Sequence, residues 1–258
     1  MNTLETEQKV AKLLVNARHV IALTGAGISV PSGIPDFRSE TGLWARYDIM
    51  EYGTLQAFRA DPYKVWQMFG SLAETVQNAQ PNHAHLALAE LEEMGIVKAV
   101  VTQNIDHLHS DAGSKVVYEF HGACDSFQCL ACNNRYNRNE GESRKDLEGV
   151  PLCDCGYVLK PNIVLFGENI PEKAMKSSFR EAEAADVILV VGTSAQVAPA
   201  SHLPAVVASR GGAVVEMNVS HTELSHMAGY RILGDVEETL PSLVEQVRAL
   251  RESTVGLP

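Results

Sequence analysis

A chain of 258 residues, 45% of them hydrophobic, is long enough to bury a full core and to carry one large domain plus a small one, and it reads as an ordinary globular protein. The net charge of −11 disfavours nonspecific attraction to nucleic acid or to an anionic membrane surface, while it tolerates a cationic protein substrate. Residues 1–20 mix charge into their apolar positions and no later apolar run reaches membrane-spanning length, so neither a signal peptide nor a span is expected, and the expected location is the cytoplasm.

In chain order, the first predicted strand is "HVIALTG", His19 to Gly25. It runs into "TGAGISVPSGIPDFR", a stretch too rich in glycine and proline to continue as a helix. Gly25 and Gly27 give the G-x-G that opens a dinucleotide fingerprint, yet Val30 stands where its third glycine belongs. No acid follows at the tip of a second strand, where a dehydrogenase holds the ribose. Instead Asp36, Phe37 and Arg38 arrive on the same loop. An insertion from about Asp36 to Gln80 places Trp44, Tyr47, Phe58, Tyr63, Trp66 and Phe69 in helical surroundings. The segment Asn82 to Met94 predicts a helix started by Pro81, with Leu86, Ala89 and Leu91 near one face.

"VKAVVTQN", "VVYEFHG", "NIVLFG", "DVILVVGTS" and "AVVEMN" complete the predicted strands. Their alternation with helical periodicity indicates an α/β fold, a doubly wound parallel sheet with a smaller composite domain. In such sheets the ligand crevice lies outside the carboxyl ends of the strands. The polar strand ends at Gly25, at 102–106, at His121, at Gly192, Thr193 and Ser194, and at Asn218 are therefore expected to converge. Glycine amides at a strand-to-helix turn suit a pyrophosphate, and the Gly-Thr-Ser turn and the Asn218 amide suit phosphate or ribose hydroxyls.

Five cysteines, an odd number, crowd between Cys124 and Cys155, which argues for metal rather than disulfides in a chain with no export signal. Cys129, Cys132, Cys153 and Cys155 offer four thiolates for a tetrahedral zinc ion in a ribbon-like loop, with C-x-C in the second pair where C-x-x-C is usual. Four sulfurs leave no open position for water, so the expected role is structural. Cys124 is the spare thiol.

Taken together, "GAGISVPSGIPDFR", "TQNIDHLHSDAG", "EFHG", "CLAC" followed by "CDCG", "KPNIVLFGE" and "VGTSAQVAPA" resemble, in that order and spacing, the sirtuin family of NAD-dependent protein deacylases, from about Ile21 to Leu240. The resemblance implies a Rossmann-like NAD-binding domain formed by 1–35, 81–121 and 160–258. It also implies a small domain of helical and zinc-binding modules from 36–80 and 122–159. Gly25, Ala26, Gly27 and Ser29 would belong to the phosphate loop, and Asp36, Phe37 and Arg38 would fold over the nicotinamide ribose. Gln103, Asn104 and Asp106 would bind the amide and ribose, with Gly192, Thr193, Ser194, Asn218, Ser220 and Val236 along the rest of the NAD.

By the same resemblance, the acyl oxygen of a substrate lysine attacks ribose C1′ to give an alkylamidate, and His121 is the general base for the ribose hydroxyls, with Asn104 and Asp106 as its catalytic companions. The implied products are nicotinamide, free lysine and O-acyl-ADP-ribose. Val164, Leu165, Phe166, Gly167 and Glu168 on one side and Val197 on the other would flank an extended acyl-lysine peptide. His109 is read as architectural, His83 and His85 as packing or capping residues, and the other histidines as outside the site. Family members that remove acidic acyl groups carry a tyrosine and an arginine where Phe69 and Leu72 stand, so acetyl or longer apolar acyl groups are expected here, unless Arg46 or Arg59 reaches a carboxylate. No direct nucleic-acid or membrane partner is implied, and a monomer is expected. Two other classes stay open: an ADP-ribosyltransferase using the same NAD-cleaving site, and a binding module without turnover.

Overall fold

The structure, a computed structural model, describes residues 3–255. Its strands among those residues are β1 (Val20–Thr24), β2 (Val97–Thr102), β3 (Val117–Glu119), β4 (Gly122–Cys129), β5 (Arg135–Asn137), β6 (Leu159–Ile163), β7 (Val187–Val191), β8 (Ala213–Asn218) and β9 (Tyr230–Leu233). β1 and β7 are buried at every residue, the pattern of central strands covered on both faces. Six of the strands form one sheet in the order β3-β2-β1-β7-β8-β9, parallel at every pairing. The chain winds outward from β1 through β2 to β3 and returns to β7 beside β1. The carboxyl ends of β1 and β7 are thus the topological switch point, where open α/β sheets bind ligands.

The period-2 alternation of the strands sorts their side chains onto two faces. Val20 and Ala22 pack with Leu14, Leu88, Leu91, Leu240 and Val244, from helices Thr3–Asn16, His83–Glu93 and Val236–Val255. Ile21, Leu23, Ile188 and Val190 pack with Ala182, Leu203 and Val207, from helices Glu172–Ala184 and Leu203–Ser209. The helix after Pro81 has Asn82 as its N-cap, in a reciprocal capping box with His85. Its buried face differs from the expected one. Ala84, Ala87, Leu88 and Leu91 point inward, while Leu86, a turn-fraction away, is 48% exposed.

"NIVLFG" also departs from expectation. Its strand begins earlier, at Leu159, ends at Ile163 and pairs antiparallel with β4 in a 3-stranded sheet of order β5-β4-β6. Pro161 is tolerated there because β6 is an edge strand. β4 and β9 carried no sequence signal: β4 mixes Asp125, Ser126 and Gln128 among its apolar residues, and β9 is a short edge strand. Above this small sheet lie helices Leu43–Arg46, Ile49–Tyr52, Leu55–Ala60 and Pro62–Asn78, whose Phe58 and Val65 share a core with Val150, Val158, Ile163 and Leu165.

Candidate active site

The turns that follow β1 and β7 interlock. Gly25 N donates to Val191 O at 3.2 Å and Gly27 N to Gly192 O at 2.8 Å. A Cβ on Gly27 would lie 2.7 Å from Gly192 O, and Gly192 itself has φ +58 with its Cβ position 2.4 Å from Ile28 N. Only glycine permits this approach of two backbones. The other strand ends are tied to the same point. The Thr193 hydroxyl accepts from Gln103 Nε2 at 2.9 Å and from Ala195 N at 3.0 Å, and Asn218 Nδ2 donates to Thr193 O at 3.1 Å. The ends of β1, β2, β7 and β8 thereby wall one cleft of about 980 Å³.

A buried polar network backs that wall. Ser29, fully buried, donates to Asp106 Oδ2 at 2.7 Å and accepts from Asn104 Nδ2 at 3.0 Å; Asp106 Oδ1 also accepts from Leu108 N at 3.0 Å. Thr24 Oγ1 donates to Thr102 Oγ1 at 2.9 Å and meets His109 Nε2 at 2.8 Å. The rings of His85 and His109 meet edge to face at 4.9 Å. Burial pushes His85 down to about 4 and His109 down to about 3, so both are neutral at neutral pH. Asn104 Oδ1 is buried with no protein donor although Asn104 lines the cleft, an acceptor suited to a ligand's amide or hydroxyl hydrogen. Asp106 and Ser29 lie behind the cleft wall, whereas Gly25, Ala26, Gly27, Gln103, Asn104, Gly192, Thr193, Ser194, Asn218, Ser220 and Val236 are on it.

His121 reaches the cleft from the turn after β3. Its Nδ1 lies 2.9 Å from Gln103 O, and a carbonyl only accepts, so Nδ1 carries the proton and Nε2 is the basic nitrogen. Burial lowers its pKa, the Gln103 hydrogen bond opposes that, and the charge of Arg38 lowers it further. The ring is thereby kept as a neutral base. Asp36, Phe37 and Arg38 line the same cleft. Asp36 Oδ1 accepts from the backbone of Arg38 at 2.8 Å and Ser39 at 2.7 Å, which folds the loop back on itself, and Phe37 packs on Trp44 with centroids 5.7 Å apart.

The segment Val164–Glu168 also lines the cleft. Val164 N donates to His121 O at 2.8 Å, and Phe166 exchanges backbone bonds with Gly53 and Leu55. Lys160, 3% exposed, donates to Glu168 Oε2 at 3.0 Å and to Ile163 O at 2.6 Å, while the same carboxylate accepts from Leu165 N at 2.8 Å. Val197 and Gln196 line the same cleft. Met68, Phe69 and Leu72 supply an apolar wall; Arg46 and Arg59 are not among the lining residues.

Two supports escaped sequence reasoning. One is Lys160, which latches the Val164–Glu168 loop. The other is Glu216 on β8, fully buried, whose oxygens accept from the Thr222 hydroxyl and from Ser225 Oγ at 2.5 Å. A charged residue inside "AVVEMN" was the signal available. His221, set aside in the sequence reading, lines the cleft beside Ser220.

Away from the cleft, the Sγ atoms of Cys129, Cys132, Cys153 and Cys155 lie within 4.8 Å of one another, with 3.6 Å between Cys129 and Cys155 and 3.4 Å between Cys132 and Cys153. Zinc–sulfur bonds of about 2.3 Å give a tetrahedron with edges of about 3.8 Å, so the four sulfurs fit that ion and the C-x-C pair closes the set. Cys124 stands apart from them, its thiol pushed up to about 12 by burial.

Comparison with known proteins places this geometry among relatives. Residues 25–199 match the family model described as Sir2 family. The chain is 45% identical over 243 residues to NAD-dependent protein deacylase 1 of Archaeoglobus fulgidus, covering 94% of this chain and 98% of that protein. Among solved structures it is similar to a mutant Sir2 homologue in complex with ADP-ribose, at TM-score 0.90 and 43% identity, covering 97% of this chain and 99% of the other. It is also similar to a Sir2 protein bound to a myristoylated histone peptide, at TM-score 0.82 and 34% identity, with 97% and 99% covered.

Proposed function

The chain belongs to the Sir2 family, and on that premise we propose that it is an NAD-dependent protein-lysine deacylase that yields nicotinamide, O-acyl-ADP-ribose and free lysine. The observation that carries this reading is His121 held on the NAD-sized cleft by its Nδ1 bond to Gln103 O, beside a glycine cradle and the unpartnered Asn104 Oδ1. Bound NAD supplies a glycosidic bond whose cleavage leaves positive charge on the ribose.

Each strand end then has a task. The amides around Gly25 to Gly27 and the turn Gly192 to Ser194 bind the phosphates, while Asn218, Ser220 and Val236 hold the adenosine end. Asp36, Phe37 and Arg38 cover the nicotinamide ribose and exclude water. Asn104 accepts from the carboxamide or ribose, and Asp106 orients Asn104 through Ser29. His121 takes a proton from the ribose hydroxyls at Nε2. Cys129, Cys132, Cys153 and Cys155 would hold zinc, and four sulfur ligands leave it no open position, so the ion would be structural.

The peptide is bound between Val164–Glu168 and Val197, by backbone bonds as an added strand. Its acyl chain enters the wall of Met68, Phe69 and Leu72, which favours acetyl and longer apolar groups over acidic ones. The work divides between 1–35, 81–121 and 160–258, which carry the nucleotide, and 36–80 with 122–159, which position the acyl group; β6 runs through the boundary. Among the described residues no helix is long and apolar enough to cross a membrane. Mass spectrometry of NAD incubated with an acetyl-lysine peptide tests the reading: acetyl-ADP-ribose and unmodified peptide are expected in equal amounts. Label from the adenylate fixed stably on protein would point to transfer of ADP-ribose instead.

A further inference from the structure

The small part of the molecule has two apolar clusters. One, around Phe58, Val65 and Leu165, borders the cleft; the other, around Phe127, Cys129, Cys153 and Leu159, surrounds the buried thiols. Among the described residues, Trp66 is the hydrophobic side chain packed against both. Its indole N–H donates to Leu159 O at 2.8 Å, and Leu159 is the β6 partner of Cys129. Its ring lies 6.0 Å from that of Phe127 and 5.5 Å, edge on, from that of Phe69. Phe69 in turn lines the cleft where the acyl chain is placed above.

This row of rings has little slack. Phe127 is pressed against the helix Arg138–Glu142, where a Cβ on Gly141 would come within 2.2 Å of the phenyl ring. A ring blocked on one side and packed against another ring on the other transmits displacement, because packed interiors do not absorb it. Cys129 and Phe127 lie two residues apart on β4 in one cluster, so a shift of the thiolate knuckle bears on Phe127 and, through it, on Trp66 and Phe69.

We propose that Trp66 is a positioning residue through which the four-cysteine knuckle sets the acyl-pocket wall, so that acyl-chain selectivity depends on the state of that knuckle. The proposal rests on the deacylase reading for its kinetic consequence, but the mechanical link stands on the packing alone. A merely supporting role for Trp66 would lower the turnover of every acyl substrate alike. A positioning role changes their ratio.

The test has two arms. In the first, Trp66→Phe, which keeps a ring but loses the bond to Leu159 O, is compared with the unaltered protein on acetyl-lysine and octanoyl-lysine peptides of one sequence. The ratio of the two kcat/KM values is expected to change by at least about fivefold while the KM for NAD stays within about twofold. Equal losses on both peptides, or an unchanged ratio, would overturn the proposal. In the second arm, Trp44→Phe leaves Trp66 as the sole indole, since the chain has 2 tryptophans. Its emission is followed as a chelator removes metal from the full chain, with released zinc read by an indicator dye and helix content by circular dichroism. The emission is expected to change in step with metal release and before helix content falls; an emission that follows only the loss of helix overturns the link. This arm is informative even where Trp66→Phe does not fold. A protein that turns over neither peptide but passes the second arm contradicts the deacylase reading and leaves the mechanical link standing.

Discussion

An alanine at Gly27 would test the interlocked turns directly. Its Cβ would lie 2.7 Å from Gly192 O, 2.9 Å from Gly192 Cα and 3.0 Å from Gly192 C, where ordinary contact begins at 3.4 Å. The two turns would have to part by roughly 0.7 Å, because both neighbours are backbone: Gly27 N is bonded to Gly192 O, and the Cβ position of Gly192 in turn lies 2.4 Å from Ile28 N and 2.7 Å from Gly27 C. Parting also stretches the 2.8 Å bond from Gly27 N to Gly192 O. Overpacking costs about 1–3 kcal/mol and a backbone hydrogen bond contributes about 1 kcal/mol, so the fold should lose about 2–4 kcal/mol. At about 2–4 °C per kcal/mol for a chain of this size, Tm should drop by roughly 5–15 °C. Because the same backbone is placed at the phosphates, the KM for NAD should rise by about tenfold or more. Gly211→Ala is the control. Gly211 has φ +85 but nothing within 4 Å of its Cβ position, so it should cost about 1 kcal/mol through backbone strain and leave the KM for NAD unchanged. Calorimetry and steady-state kinetics on both variants decide the matter. A Gly27→Ala protein that melts within about 2 °C of the unaltered one and keeps its KM for NAD would refute the reasoning.

Replacing His121 by alanine should lower deacylation by about 10² to 10⁴-fold while NAD binding, measured by titration calorimetry, stays within a few-fold, since the glycine cradle is untouched. Near-normal turnover would remove His121 from the mechanism. The depressed pKa values of His85 and His109 imply a loss of stability in acid. Both rings are neutral when folded and take up protons when unfolded, so the stability they contribute is present above the ordinary histidine value and declines as pH falls toward 4 and 3. Denaturant unfolding should therefore show a decline of about 2 kcal/mol between pH 6 and 5 from these two rings. His107, raised by its bond to Glu119, works in the opposite direction only above its ordinary value, so a flat profile from pH 6 to 5 contradicts the assignment. Cys129→Ser, or chelation, should melt the 3-stranded sheet region while the parallel sheet keeps its helix content, as read by hydrogen exchange; fully active protein without metal is the contrary result. A succinyl-lysine peptide should be about thirtyfold poorer in kcat/KM than its acetyl counterpart, from about 2 kcal/mol of unpaired carboxylate. Phe69→Tyr with Leu72→Arg should narrow that gap, and equal efficiency before the change would displace Phe69 and Leu72 from the pocket.

Much of the site was legible because it is local in sequence. Gly25, Gly27 and Gly192 announce turns that need absent side chains, and the polar ends of apolar strands converge by the topology of a doubly wound sheet. The cysteine spacing was enough to anticipate a metal site, because the C-x-x-C and C-x-C knuckles are each closed by a few residues. Pro81 is enough to mark the start of the helix Asn82 caps, but the buried face differs from the expected one, because Leu86 is more apolar than Ala84 or Ala87 and only close packing on the sheet prefers the small residues.

What the chain alone determined was therefore the set of strands with uninterrupted apolar character, the turns between them and the residues that bear chemistry. Tertiary structure decided everything that depends on partners distant in sequence. It placed β6 in the antiparallel sheet with β4, although its apolar run reads like any buried strand. It turned Lys160 and Glu216, charges that sequence patterning treats as exposed, into buried anchors, because Glu168 and the Thr222 and Ser225 hydroxyls reach them only in the fold. It put Asp106 behind the wall and Asn104 upon it, and it laid Trp66 between the thiols and Phe69 on the cleft. The reason is physical: local propensity and periodicity follow from neighbours a few residues away, whereas desolvation, pairing and packing are set by atoms that only folding brings together.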